Sequence, residues 1–234
     1  MLDEAALPFL ARRGHVVSLV GGGGKTTLLY QMSAHCACKG WRVLASTTTH
    51  IRCPHDGHWA RTEAQRDALW AAGRYAVAGA PAPQDKLTQP DGLEGWMEAA
   101  EAVFLEADGA KGLPCKAPAA HEPVLLPQSD VLLAVAGLSA LGRPLGQVCF
   151  RPQLAAALLG VEPETQLTPE LLAHLLASPQ GGRKNCGDRA FWAVLNQADT
   201  PALRQAAAET ARFLARWGVA AVVTSFEEKE RNIP

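Results

Sequence analysis

A chain of 234 residues with 48% hydrophobic content and a formal net charge of −1 can bury one substantial core. Its balanced charge, without blocks of one sign, argues against a nucleic-acid-binding arm or a long disordered tail. The apolar runs all stop short of a membrane span, Met1-Leu2-Asp3-Glu4 lacks a basic signal-peptide start, and six cysteines in a chain this long do not make a secreted disulfide framework, so a cytoplasmic protein with reduced thiols is expected.

The apolar run 15–20 reads as a strand and leads through Gly21-Gly22-Gly23-Gly24-Lys25-Thr26-Thr27 into a helix over 26–38. A second strand over 41–46 ends in the Thr/His run 47–50, followed by a Pro/Gly loop over 52–58. A helix is expected over 59–72, an apolar run over 75–80, a Pro-Ala-Pro breaker at 81–83 and a short helix over 92–100. The strand over 102–107 ends in Glu106-Ala107-Asp108-Gly109. The stretch 112–129 carries four prolines and reads as a long loop before the apolar strand 131–136. Two helices, 152–160 and 169–177, then follow each other without a strand. Thr168 is the expected N-cap of the second, with Pro169 at its first position. After a Gly/Asn loop over 181–187, a strand over 191–196, a helix over 201–217 and a strand over 219–225 complete the pattern, and the charged end 227–234 is expected to fray. Apolar runs alternating with helical patterns predict an α/β fold of the P-loop NTPase-like kind. Its sheet is mostly parallel with helices on both faces, in one domain over 1–234 with a small helical insertion at 151–178.

Strand, glycine loop, Lys-Thr and helix form the context of a phosphate site. Gly21, Gly22, Gly23 and Gly24 allow tight turns whose N–H groups converge on an anion, and the helix start adds partial positive charge. Lys25 is expected at the β/γ-phosphates, Thr26 at Mg2+ and Thr27 toward the α-phosphate. The pattern is a variant: the glycine usually found six residues before the lysine is Leu19, and the position five before it is Val20. Lys25→Ala is expected to abolish triphosphate binding with little change in stability. Glu106 and Asp108 lie two apart at a strand end and share a face of the sheet. Asp108 is expected to hold Mg2+ and Glu106 to position water. Lys111, three residues on, is a candidate second cation for phosphate charge. The turn Asn196-Gln197-Ala198-Asp199 resembles the Asn-Lys-x-Asp signature of guanine sites, so Asn196 and Asp199 are candidate base contacts and GTP is favoured over ATP. His50, Cys53, His55 and His58 offer soft metal ligands at a spacing that fits no closed zinc pattern. His50 is also expected to face the site. Cys36 and Cys38 point apart on a helix, and Cys115 is weighed as a reactive thiol against an incidental small residue.

The glycine loop, the Thr47–His50 run, Glu106-Ala107-Asp108-Gly109-Ala110-Lys111-Gly112-Leu113-Pro114, Lys116-Ala117-Pro118, His121-Glu122-Pro123, Gly142-Arg143-Pro144-Leu145, Arg151-Pro152 and Asn196–Asp199 occur in that order. Together they resemble the YqeC family, described as accessory proteins of selenium-dependent molybdenum hydroxylases. The resemblance implies a nucleotide-binding α/β protein, with a molybdenum hydroxylase or its cofactor-maturation proteins as partners. Gln197 stands where the family commonly has Lys, and Cys115 where it has an aliphatic residue. The expected activity is Mg2+-dependent hydrolysis of GTP or ATP by Lys25, Glu106, Asp108 and Lys111. Transfer to a small acceptor and a non-hydrolysing, nucleotide-set scaffold are the alternatives.

Overall fold

A computed structural model describes residues 2–54 and 56–226. The expected fraying of 227–234 and the part of His55 in the soft-ligand cluster fall outside them. Strand β1 (His15–Gly21) is followed by helix α1 (Lys25–Ala37) and strands β2 (Val43–Thr47), β3 (His50–Arg52) and β4 (Trp59–Ala60). Helix α2 (Glu63–Ala71), strands β5 (Ala76–Ala78), β6 (Ala80–Ala82) and β7 (Lys86–Thr88), helix α3 (Leu93–Glu98) and strand β8 (Ala102–Glu106) come next. The remainder runs β9 (Cys115–Lys116), β10 (Val131–Gly137), α4 (Leu145–Val148), β11 (Cys149–Phe150), α5 (Pro152–Leu159), α6 (Pro169–Ala177), β12 (Ala190–Asn196), α7 (Pro201–Arg216) and β13 (Ala220–Val223).

Eight strands form a sheet in the order β13-β12-β10-β1-β8-β2-β5-β4, with every neighbour parallel. This is the α/β, P-loop NTPase-like arrangement the apolar runs predict. The period-two alternation of side chains divides the core between the two faces. Val17 and Leu19 of β1 and Val131, Leu133 and Val135 of β10 pack with Leu28, Leu29 and Met32 of α1 on one face. Val20, Leu132, Ala134, Ala136 and Leu195 pack on the other, with Leu172 and Leu176 of α6 and Leu214 of α7. From β1 the chain goes to β2, on the far side of β8, and after β8 it crosses to β10 on the opposite side of β1. That reversal is a topological switch point at the carboxyl ends of β1 and β10, where open α/β sheets hold ligands.

The structure corrects the sequence reading in three places. Residues 59–72 are not one helix: Trp59 and Ala60 pair with Val77 and Ala78 as an edge strand, and α2 begins after Thr62, whose side chain accepts the Gln65 N–H. Pro81 does not break the chain but pairs opposite Leu87 on the edge strand β6 of a small antiparallel sheet, β3-β7-β6, where a missing N–H costs nothing. The 112–129 loop contains β9, which pairs in parallel with β11 so that Cys115 and Lys116 lie opposite Cys149 and Phe150. Thr168 caps α6 as expected, accepting from Leu171 N–H with Pro169 at the first position.

Candidate functional site

The glycine run leaves β1 and is held by backbone. Gly21, Gly23 and Gly24 have φ values of 95°, 68° and 96°, a region that side chains resist. Gly22 N–H donates to Val135 O at 2.9 Å and Gly23 N–H to Leu113 O at 3.0 Å, so the loop is fastened to β10 on one side and to the 110–114 turn on the other. A Cβ on Gly23 would collide with the backbone of Gly137, which makes close approach a second reason for glycine there. Helix α1 starts at Lys25 behind Gly24 with no side-chain cap, leaving its first N–H groups without a side-chain acceptor.

Lys25 does not project into solvent. Its side chain is 4% exposed, and its ammonium donates to Gly21 O at 2.6 Å while facing Asp108 Oδ1 at 3.2 Å and Glu106 Oε1 at 3.6 Å. Burial pushes the Lys25 pKa down, but the facing carboxylates of Asp108 and Glu106 outweigh it and the result is raised. Burial dominates for Glu106, whose carboxyl is raised above its ordinary value although Lys25 and the Thr26 hydroxyl oppose the shift. One lysine shared by two carboxylates keeps its own charge more firmly than it keeps that of Glu106. Thr26 Oγ1 donates to Glu106 Oε2 at 2.7 Å. Both oxygens of Asp108 accept the Gly21 N–H at 3.1 Å, and Oδ2 also faces Lys116 Nζ at 2.9 Å. The structure therefore brings Lys25, Thr26, Glu106 and Asp108 together, and sets Thr26 beside Glu106 rather than Asp108.

Lys111 lies on the turn that also presents Leu113 O to Gly23. It is exposed, has a φ of 50°, and its ammonium sits 5.3 Å from the Phe150 ring centroid. The second cation against Asp108 is instead Lys116, in β9, which also faces Glu122 Oε2 at 2.9 Å; Arg151 Nη1 meets the same Glu122 oxygen at 2.6 Å. Sequence reasoning assigned no role to Lys116, Glu122 or Arg151. The available signal was three charged residues set in a proline-rich, apolar surrounding, which only the fold reveals as a buried cluster.

Asn196 Nδ2 donates to Gly23 O at 2.8 Å, and its Oδ1 accepts from Thr224 Oγ1 at 2.9 Å, so its side chain ties the end of β12 to the glycine loop. Asp199 is exposed and accepts from Ser225 Oγ at 2.7 Å. Gln197 accepts from Ser139 Oγ at 2.6 Å. Thr27, the second threonine after Lys25, is half-buried in the first turn of α1.

The soft-ligand cluster does not assemble among the described residues, which contain no group of three His, Cys, Asp or Glu able to hold a metal. His58 stacks on Tyr75 at 3.7 Å, with Nδ1 on Tyr75 O and Nε2 on Asp56. His50 is exposed at the start of β3, opposite Thr88 in the small sheet. Cys36 is buried and Cys38 exposed, as expected of thiols pointing apart. The Cys115 thiol is buried and donates to Val148 O at 3.3 Å, and the Cys149 thiol beside it together with burial pushes its pKa above the usual range, which is the opposite of a reactive thiolate. No helix among the described residues is long and apolar enough to cross a membrane.

The family model for the YqeC protein matches residues 17–153, which span the glycine loop, the Glu106–Lys116 segment and the start of α5. The chain belongs to the YqeC family. It is also 32% identical over 203 residues to the "Uncharacterized protein YqeC" of Escherichia coli (strain K12), an overlap covering 78% of this chain and 76% of the relative. The YqeC match thus includes Lys25, Thr26, Glu106, Asp108 and the Lys116–Glu122–Arg151 cluster, while Asn196 and Asp199 lie beyond the family model.

Proposed function

We propose that the chain binds a nucleoside triphosphate with Mg2+ at the Gly21–Thr27 junction and hydrolyses it. The cycle would serve maturation of a selenium-dependent molybdenum hydroxylase, the role that the family resemblance implies. The nucleotide reading is carried by one observation: Lys25, Thr26, Glu106 and Asp108 converge at an uncapped helix start behind four glycines. An uncapped helix N-terminus favours an anion, and a lysine on a flexible stem can swing from Gly21 O to a phosphate oxygen. Thr26 Oγ1 and Glu106 Oε2 form a pair of hard oxygen donors, too few to cage a cation alone. That suits Mg2+, which is commonly held by one or two carboxylates together with substrate phosphates.

In this reading Thr26 and Glu106 would hold the cation. When bound, Mg2+ supplies charge neutralisation and orientation across the phosphates. Asp108 orients the glycine loop through Gly21 N–H instead of acting as the first metal ligand, because its oxygens already face Gly21, Lys25 and Lys116. Lys111 is retained as a second cation for the outer phosphate, on the turn adjoining Gly23. Asp199 is proposed to face the base, with Asn196 fixing the distance between the base turn and the phosphate loop.

Single-turnover assays with GTP and ATP, each with and without a pterin as candidate acceptor, test the activity. The proposal expects Mg2+-dependent release of inorganic phosphate by the wild type. A phosphorylated pterin or other small acceptor without free phosphate would replace hydrolysis by transfer, and neither product despite binding would leave a scaffold.

A further inference from the structure

Behind the glycine loop lies a second buried lysine. Lys116 sits in β9 with its side chain fully covered, and its three ammonium hydrogens meet three acceptors: Asp108 Oδ2 at 2.9 Å, Glu122 Oε2 at 2.9 Å and Gly109 O at 2.7 Å. Glu122 is itself fixed by Ala119 N–H at 3.0 Å and by Arg151 at 2.6 Å. The other oxygen of Asp108 faces Lys25. Asp108, Lys116, Glu122 and Arg151 therefore form a charge-neutral set, and Lys25 is the additional cation, facing both Asp108 and Glu106.

We propose that Lys116 is a positioning residue for Lys25: it gives Asp108 a permanent counter-ion and so frees Lys25 to leave the carboxylates for an incoming phosphate. This inference rests on the triphosphate reading of the glycine loop. Asp108 is 1% exposed, and a buried carboxylate stripped of its cation is costly because neither water nor a partner compensates the charge. Without Lys116, Lys25 would be the cation left facing Asp108, and moving it to a phosphate would strand that charge. With Lys116 in place, Asp108 stays paired whichever way Lys25 turns. The pairing of β9 with β11 sets Lys116 opposite Phe150, and its side chain is fully covered.

The test is calorimetric titration with inorganic triphosphate in the presence of a metal chelator, which isolates Lys25 from any metal effect. Wild type, Lys116→Met, Asp108→Asn and the double variant are compared. Lys116→Met is expected to weaken binding by roughly tenfold. The double variant is expected to bind as Asp108→Asn does, because a neutral side chain at 108 no longer holds Lys25 back. A merely structural role for Lys116 would not vanish in that background. Equal affinity of wild type and Lys116→Met would overturn the inference, and so would a double variant weaker than Asp108→Asn by the same factor. If Lys116→Met fails to fold, the comparison of Asp108→Asn with the double variant decides, since that pair leaves no lone buried charge at 108 or 116. Absence of wild-type binding would overturn the triphosphate reading and this inference with it, whereas wild-type binding unaffected by Lys116→Met overturns this inference alone.

Discussion

Lys25 lies 3.2 Å from Asp108 and 3.6 Å from Glu106 with almost no exposed surface, so its removal does more than delete a phosphate contact. The sequence reading expects Lys25→Ala to change stability little, because no core atom is removed. The structure reverses that expectation. Asp108 keeps Lys116, but deleting Lys25 leaves the buried Glu106 without its cation, and the variant should lose about 3 kcal/mol or more in denaturant unfolding at neutral pH. An unfolding midpoint equal to that of wild type would show that the cluster is not a structural unit. Glu122 gives the pH dependence a sign. Burial raises its pKa, but Ala119 N–H, Lys116 and Arg151 overcome that and hold it below the ordinary value of 4.5. A depressed carboxylate contributes stability that is present above its unfolded pKa and lost as pH falls through the folded value. Acid titration of unfolding should therefore show stability declining below about pH 4.5 in wild type and declining less steeply in Glu122→Gln. An identical slope in the two proteins would contradict the Lys116–Glu122–Arg151 linkage.

At the scale of elements, the glycine loop is a junction of four segments rather than a free cradle. Val135 O of β10, Leu113 O of the 110–114 turn, Asp108 beyond β8 and Asn196 at the end of β12 all bond to it. The 196–199 turn is fastened in the same way, by Thr224 to Asn196 and by Ser225 to Asp199. A carboxylate at 199 can accept from the N1–H and 2-amino group of guanine, donors that adenine lacks in that arrangement. Sites that hydrogen-bond a substrate group reject analogues without it by up to roughly 10⁴–10⁵. Competition binding should thus rank GTP above ATP for wild type and move Asp199→Asn toward XTP; tighter ATP binding by wild type would remove guanine from the account. The strands β1, β2, β5, β8, β10, β12 and β13 were legible because continuous apolar runs report burial on both faces of a parallel sheet. Lys25, Thr26, Glu106 and Asp108 were legible because each sits at the carboxyl end of such a run or at the helix start that follows one. Lys116 and Arg151 were not: their meaning comes from the β9–β11 pairing, a contact between segments 34 residues apart that no local period encodes. Trp59 and Ala60 misled for a related reason, since two residues pairing at a sheet edge carry no alternation to read.

On the scale of the whole molecule, the topology accounts for the convergence. The reversal from β8 to β10 across β1 sets Gly21 and Lys25 between two strand ends, one bringing Glu106 and Asp108 and the other bringing Gly137. Helices on both faces cover the sheet, and Lys25, Glu106 and Asp108 at its carboxyl edge are buried, where their mutual attraction is stronger than in bulk water. The helices α5 and α6 pack beside α7 on the face that also carries β9 and β11, and Arg151 at the start of α5 connects that face to the site through Glu122. The most direct test of the central claim is calorimetric titration of GTP and ATP into wild type and Thr26→Val, with Mg2+ and again with chelator. The account predicts triphosphate binding by wild type that strengthens with Mg2+, and a Thr26→Val variant that loses most of the Mg2+-dependent gain while keeping its metal-free affinity within about twofold. No binding of either nucleotide by the folded wild type, or an Mg2+ gain unchanged in Thr26→Val, would contradict it.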